Sequence, residues 1–434
     1  MKKFGMAGLL LAFALSLAVA GGAKESSGSG TASGKEQITL TLWHIGTDAT
    51  RHAAIKAAIG RYETAHPNVK VVEQAIENDP YKTKLKTAMG GGNPPDVFIT
   101  WGGGWMEEFI KAGKILNITD RVSKVADKYL TPGISMGKVG DSYYGLPITC
   151  GPSSVYYNTA LYKKYGLSVP KTLTEFEHNC DVLKQNGIIP IALGNSSKWP
   201  GAITFIYLSM RYGGAQTFIN AYNRKGADFT DESFVKAGAK IQEWVKKGYY
   251  PEGMNGINYD TGGSRMLFYS GKAAHIIQTN GLLGACRSES PDFFKNNLGL
   301  FKFPVIEGAK GSADEIVGGG NAVHISSTCK HPDEAFDLLV AVSDLAYGQD
   351  MVTGSSVLSG VKGVQIQDPL VKQQYDVLTG AKFMQNFYDQ YLPPALAEVH
   401  KDTTQALFGL TTTPEQAAKD MEAKAVEVLG PVKK

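Results

Sequence analysis

The sequence predicts a mixed α/β protein built as two lobes, each discontinuous along the chain. Three observations lead there. Strand-like and helix-like segments alternate from residue 37 to residue 100, the pattern of a βαβ unit with parallel strands and right-handed crossovers. The character turns helical over 172–247 and reverts to strands at 271–277 and 316–325. Finally, 434 residues are too many for one ordinary core and suit two of about 150–200 residues.

The elements follow in order. The run Gln37-Ile38-Thr39-Leu40-Thr41-Leu42-Trp43 alternates and is rich in β-formers, which predicts the first strand. A helix is expected over 47–66, because Ile55, Ile59 and Tyr62 recur at i, i+4 and i+7 and His66-Pro67 ends it. Val69-Lys70-Val71-Val72 reads as a second strand and 81–89 as a short helix closed by the Gly-Gly-Gly-Asn-Pro-Pro run at 90–95. Asp96-Val97-Phe98-Ile99-Thr100 is the continuous apolar run of a parallel-sheet strand. Ser154-Val155-Tyr156-Tyr157 predicts a buried strand, and Asn158-Thr159 a helix cap. Helices are expected at 175–186, 202–212 and 231–247, the last with Phe234, Ile241 and Trp244 on one stripe that puts Trp244 in the core. The segment 298–305 reads as a second crossover and 316–325 as the strand that returns to the first lobe. A helix opened by Pro332 follows, and 388–428 is almost wholly helical.

Composition narrows the function classes. Hydrophobic residues make up 43% and charged residues 20%, as in a water-soluble globular protein. The 44 basic and 41 acidic residues are spread evenly, without the clustered Lys/Arg that nucleic-acid binding requires. Lys2-Lys3, the apolar run 9–18 and the small-x-small site Ala18-Val19-Ala20 make 1–20 a signal peptide, its apolar part shorter than the ~20 residues that span a bilayer. Residues 21–36 follow as a Gly/Ser-rich flexible tether. No cysteine stands at the cleavage junction, which favours a free exported protein over a lipid-anchored one. Cys150, Cys180, Cys286 and Cys329 match no metal or redox spacing; buried thiols and a disulfide in any of three pairings both stay open.

Catalytic and metal motifs are missing. No G-x-S-x-G, H-E-x-x-H or Walker loop occurs, so no cofactor is expected. Acidic residues sit at helix starts (Asp231, Glu232, Asp333, Glu334, Glu415), where dipole complementarity accounts for them without a glycosidase's carboxylate pair. The eight histidines form no i, i+4 pair, which leaves a metal site only to residues brought together by folding. Tryptophan makes the positive case: Trp43, Trp101, Trp105 and Trp199 fall at strand ends or in loops, where an open α/β lobe presents residues to its crevice. Flat aromatic platforms beside amides and carboxylates suit a pyranose, with its apolar ring faces and polar edges.

The wording of several segments carries a resemblance. Tyr144-Gly145-Leu146-Pro147-Ile148, then Tyr156-Tyr157-Asn158 and Ala160-Leu161-Tyr162-Lys163-Lys164-Tyr165-Gly166-Leu167, resembles the first interlobe crossover of extracellular (periplasmic) solute-binding proteins of the sugar-binding, maltose-binding-protein-like class. PPDVF at 94–98, GKAAHIIQTNG at 271–281, GGGNAVHIS at 318–326 and YDQYLPPALAEVH at 388–400 extend it over nearly all of 37–428. The resemblance implies the two-lobe periplasmic-binding-protein fold, with lobe 1 at 37–149 and 304–350 and lobe 2 at 150–303 and 351–434. It implies an ABC importer's receptor for a carbohydrate, an oligosaccharide by its last run, acting as a monomer with membrane permease subunits as partners. A non-sugar solute and a secreted glycoside hydrolase are the alternatives. For the site, it implies the loop after the first strand (His44, Thr47, Asp48), Trp101, Trp105 and Trp199, although Thr47 or Asp48 also suits a helix cap and Trp105 a place under the next helix. Tyr144 at the crossover joins them, and Asn280 after a strand and Gly320-Asn321 are positions where backbone nears a ligand. Phe387, Tyr388 and Asp389 head the late helical run and border the site.

Overall fold

The computed structural model describes residues 36–433; the expected signal peptide and nearly all of the tether lie outside that span. Among the described residues nine strands form one sheet: β1 (Ile38–His44), β2 (Val69–Ala75), β3 (Val97–Thr100), β4 (Gly145–Asn158), β5 (Ile189–Ala192), β6 (Ala273–Thr279), β7 (Leu298–Phe301), β8 (Glu315–Ile325) and β9 (Phe383–Gln385). The order is β2-β1-β3-β8-β4-β6-β5, with β9 beside β8 and β7 beside β4.

The first three strands are parallel, as the alternation with helices predicts. Asp48 caps the helix Ala49–Ala65, its carboxylate accepting the Arg51 backbone N–H at 2.9 Å. Ile55, Ile59 and Tyr62 of that helix are buried. Asn158 caps the helix Thr159–Tyr165 in the same way, and a full Thr172/Glu175 capping box opens Leu173–Gln185. Trp244 is wholly buried and donates its indole N–H to Glu177 Oε1 at 2.7 Å, so the core assignment stands on a satisfied polar tip as well as on burial.

Two long strands organise the middle. β4 runs unbroken for 14 residues. Its first part pairs with β8, from Gly145↔His324 to Pro152↔Gly318, and its second part pairs with β6 and β7 from Ser153 to Asn158. The sequence separates Tyr144-Gly145-Leu146-Pro147-Ile148 from a strand at 154–157; in the structure Gly151 and Pro152 are part of one continuous strand. Their ladder partners Gly318 and Gly319 explain this, because glycine leaves space for two backbones to close up. A second difference concerns 298–305. Leu298–Phe301 pairs with Val155 to Asn158, and it is β8 that passes from pairing with β9 at one end to pairing with β3 at the other. A third stretch, 350–361, runs beside them as Cys150 N–H donates to Leu358 O at 2.9 Å and Leu130 N–H to Gly360 O at 2.8 Å.

The apolar interior falls into three clusters. One cluster gathers residues of 38–148 and 323–361, including Leu40, Phe98 and Leu338. A second gathers residues of 155–317 and 387–425, including Phe176, Trp244 and Leu396. A third, from Met136 through Ile276 to Leu378, lies along β4 and β6. All four cysteines are free, three of them buried and Cys329 half-buried. Among the described residues no helix is long and apolar enough to cross a membrane.

Candidate functional site

Where β4 and β8 cross, their register shifts between Asn321 and Ala322. There Thr149 Oγ1 donates to Asn321 Oδ1 at 3.1 Å and accepts the Asn321 backbone N–H at 3.0 Å. This bulge forms the floor of a cavity of about 350 Å³, within the ~300–1,000 Å³ of small-ligand sites. Gly320 belongs to the same floor. A Cβ added to it would lie 1.9 Å from the Thr149 carbonyl oxygen, so the glycine serves strand-to-strand approach.

One wall comes from the ends of the parallel strands. Loop 45–48 after β1 contributes Ile45, Thr47 and Asp48. Asp48 does two things at once: it caps the helix behind it, pairing with Arg51 and accepting from Thr50 Oγ1 at 2.8 Å, and it reaches the cavity. The Arg51 partner and the N–H donors hold its carboxyl below the usual range against the opposing effect of burial, which is the largest single influence. Trp101, one residue beyond β3, lines the cavity with only 3% of its surface exposed. Tyr81 and Trp105 meet it edge-on, at 5.9 and 5.5 Å between centroids.

The facing wall begins at Trp199, first residue of the helix Trp199–Gly213. Lys198 before it adopts φ 65° and ψ −39° at the centre of a γ-turn closed by the Trp199 N–H to Ser197 O bond at 2.7 Å, a conformation that costs a non-glycine residue of order 1–3 kcal/mol. Trp199 meets Tyr259 edge-on at 5.0 Å, and its buried indole N–H faces the Asp260 carboxylate without reaching hydrogen-bond geometry. Arg265 lies 4.9 Å from the Tyr259 ring and pairs with Glu289 at 2.6 Å, a doubly bonded carboxylate–guanidinium contact. Asn280, 7% exposed, leaves Nδ2 without a protein partner. Phe387, Asp389 and Gln390 close the cavity from the late helical run, and the Gln390 Oε1 is likewise unpartnered. Burial raises the carboxyl pKa values of Asp260 and Asp389 above the ordinary value.

Thus Thr47, Asp48, Trp101, Trp199, Asn280, Gly320, Asn321, Phe387 and Asp389 share one cavity. Four residues expected with them lie elsewhere. His44 is buried behind the loop, bonded to Glu73 and to the Gly46 N–H. Trp105 packs under its own helix Gly103–Lys111, against Trp101 and Phe109. Tyr144 turns toward the first core, and its carbonyl accepts from His324 Nδ1 at 2.8 Å. Tyr388 stacks on Phe218 at 3.9 Å in the second core, and its hydroxyl lies 3.3 Å from Ser209 Oγ. The glycines at 103 and 104 serve packing: a Cβ on either would strike the backbone of 390–393 at 2.2–2.8 Å. Lys82, Tyr259, Asp260 and Arg265 also line the cavity and are not among the expected residues. The Tyr-Asp pair before Gly262-Gly263 carries the aromatic-plus-carboxylate signature used elsewhere and was legible; Lys82 on a helix face was not.

A deep cavity with polar groups left unspent, between walls drawn from distant segments, defines a binding protein for a small solute. The chain belongs to the bacterial extracellular solute-binding protein family, whose model matches residues 46–346. It is similar to the galactooligosaccharide-binding protein of Bacillus subtilis, 26% identical over 440 residues that take in 100% of this chain and 98% of that protein. It also matches an uncharacterised ABC transporter extracellular-binding protein of Pyrococcus horikoshii at 29% identity, over 51% of this chain and about half (53%) of that protein. A structure solved in work on xylan utilisation by Caldanaerobius polysaccharolyticus superimposes with a TM-score of 0.83 at 32% identity, covering 89% of this chain and 100% of that one. The fold is the two-lobe fold of such receptors.

Proposed function

We propose that this protein captures a carbohydrate, an oligosaccharide, in the cavity between Trp101 and Trp199 and passes it to the permease subunits of an ABC importer. The observation that carries the reading is that those two tryptophans, from segments nearly 100 residues apart, line one cavity together with Asp389 and with Asn280 and Gln390, each of which has a buried polar atom without a protein partner. Stacking surfaces beside unspent polar groups match the alternating chemistry of a sugar ring. The galactooligosaccharide-binding relative and the xylan-related structure support the substrate class, and the Pyrococcus relative supports the transporter.

In this reading the protein is exported and works as a monomer outside the cytoplasmic membrane, without catalysing a reaction. The lobes comprise 37–149 with 304–350 and 150–303 with 351–434; the first and second cores support that division in outline, although Val317 packs with the second core and Met351, Val357 and Val361 with the first, and β4, β8 and 350–361 are the links between them. Ligand that touches both walls binds the closed form better than the open one, and by that differential affinity biases the hinge.

Isothermal calorimetry against a panel of mono- and oligosaccharides tests the assignment. Micromolar binding of at least one oligosaccharide, near −8 kcal/mol, is the expected result. Heat from a polyamine, peptide or metal ion with none from any sugar overturns the carbohydrate assignment.

A further inference from the structure

Behind the cleft, one oxygen of Glu73 on β2 accepts from two imidazoles: His44 Nε2 at 2.8 Å and His52 Nε2 at 2.5 Å. His44 is the last residue of β1, and His52 lies in the first turn of the helix Ala49–Ala65. The two rings, 5.8 Å apart and edge-on, therefore bracket loop 45–48, which brings Ile45, Thr47 and Asp48 to the cavity. The loop is also tied back to the first ring, since the Gly46 backbone N–H donates to His44 Nδ1 at 3.1 Å.

That last contact decides the chemistry. A ring nitrogen that accepts carries no proton, so neutral His44 bears its proton on Nε2, directed at Glu73. Burial, the largest influence, pulls the His44 pKa down to about 4 against the opposing pull of Glu73, while His52 and Arg51 add to the lowering; the ring is neutral at ordinary pH. The three ligand-type atoms lie within 4.8 Å of one another, a spacing a divalent cation could bridge. But an imidazole that ligates through Nε2 carries its proton on Nδ1, where the Gly46 N–H already points. The geometry thus favours a proton-mediated clamp over a metal centre.

We infer that Glu73 is a positioning residue for the cleft: through the Nε2–H groups of His44 and His52 it holds loop 45–48 in the shape that presents Thr47 and Asp48 to ligand. The inference rests on the reading of the cavity as the ligand site, and its test has readouts that do not need a ligand. Long-range ¹H–¹⁵N spectra of the full chain should find the His44 proton on Nε2, and one equivalent of zinc should leave the His44 and His52 ring signals unmoved. In Glu73→Ala, amide exchange at Gly46 should speed up at least tenfold while the amides of β3 keep their protection. Sugar affinity should fall three- to tenfold, with Glu73→Gln, which keeps an acceptor oxygen, closer to wild type. A proton on Nδ1, ring signals shifted by zinc, or unchanged Gly46 exchange in Glu73→Ala overturns the clamp. Should Glu73→Ala not fold, the wild-type spectra and Gly46 exchange in His52→Ala decide the matter, the exchange being expected to speed up and an unchanged rate overturning the clamp. Silence of the wild type toward every sugar would count against the proposed function alone, because the tautomer and exchange results would still judge Glu73.

Discussion

The Lys82 ammonium stands 5.0 Å from the centroid of the Trp101 ring, within the cavity that both residues line. Two more lysines of the same helix, Asn78–Gly90, lie over tryptophans: Lys84 at 4.2 Å from Trp43 and Lys86 at 4.7 Å from Trp105. Lys82 differs from them in facing the cleft. Its ion-pair partner Asp79 is 3.8 Å away and mostly exposed, so its three N–H donors are nearly uncommitted.

Lys82→Met should therefore weaken sugar binding roughly tenfold or more, since a hydrogen bond from a charged donor is worth about 1.5–3 kcal/mol. Stability should change by no more than about 2 kcal/mol, the value of a largely desolvated cation–π contact, since the Lys82 side chain is mostly buried and Trp101 almost wholly so. Calorimetry and urea unfolding together check this; unchanged affinity would mean the ammonium only covers the ring.

Trp101→Ala and Trp199→Ala should each lower affinity for an oligosaccharide more than tenfold, which corresponds to about 1.4 kcal/mol. A ligand held by charge would keep its affinity in both variants. Trp101 is nearly fully buried and packs on Tyr81 and Trp105, so Trp101→Phe is needed beside it to separate lost stacking from lost packing.

Gly320→Ala should destabilise the fold by about 1–3 kcal/mol or more, because the new methyl would overlap the Thr149 carbonyl oxygen. Gly90→Ala, at a position with nothing within 4 Å, is the control and should be neutral or slightly stabilising. Equal unfolding midpoints for the two variants would show that β4 and β8 separate easily at their crossing.

Acid should destabilise the protein in a definite window. Burial lowers the pKa values of His275 and His324 to about 4. Each ring is held neutral: His275 Nδ1–H donates to Pro190 O while Nε2 accepts from Tyr162, and His324 Nδ1–H donates to Tyr144 O while Nε2 accepts from Thr100. Between pH ~6.5 and ~4 the unfolded chain binds protons that the folded chain refuses, so this stability is intact above ~6.5 and is lost as pH falls toward ~4, by up to about 3 kcal/mol per ring. Urea midpoints at pH 7.5, 6 and 5 should fall in that order; a flat series would refute it.

Much of this molecule was legible in one dimension. The period-2 run at 37–43, the stripe Ile55, Ile59, Tyr62 and the caps at Asp48 and Asn158 are local patterns, and local backbone energetics enforce them. Loop tryptophans were a usable signal for the same reason, since residues beyond strand ends in an α/β sheet face its crevice. Trp101 and Trp199 followed that rule, whereas Trp105, two helical positions into Gly103–Lys111, turned inward with its helix.

By itself, then, the sequence determined which segments would be strands and helices, the family, and the loops from which a binding site would be drawn. Tertiary structure alone decided which side of each residue counts. It sent Tyr388 onto Phe218 and left its neighbours Phe387 and Asp389 in the cavity, turned His44 back toward Glu73, and brought Lys82 over Trp101 from a helix with no motif. The physical reason is that orientation is set by non-local contacts, and a one-residue step reverses the face presented on a strand and turns it by about 100° on a helix.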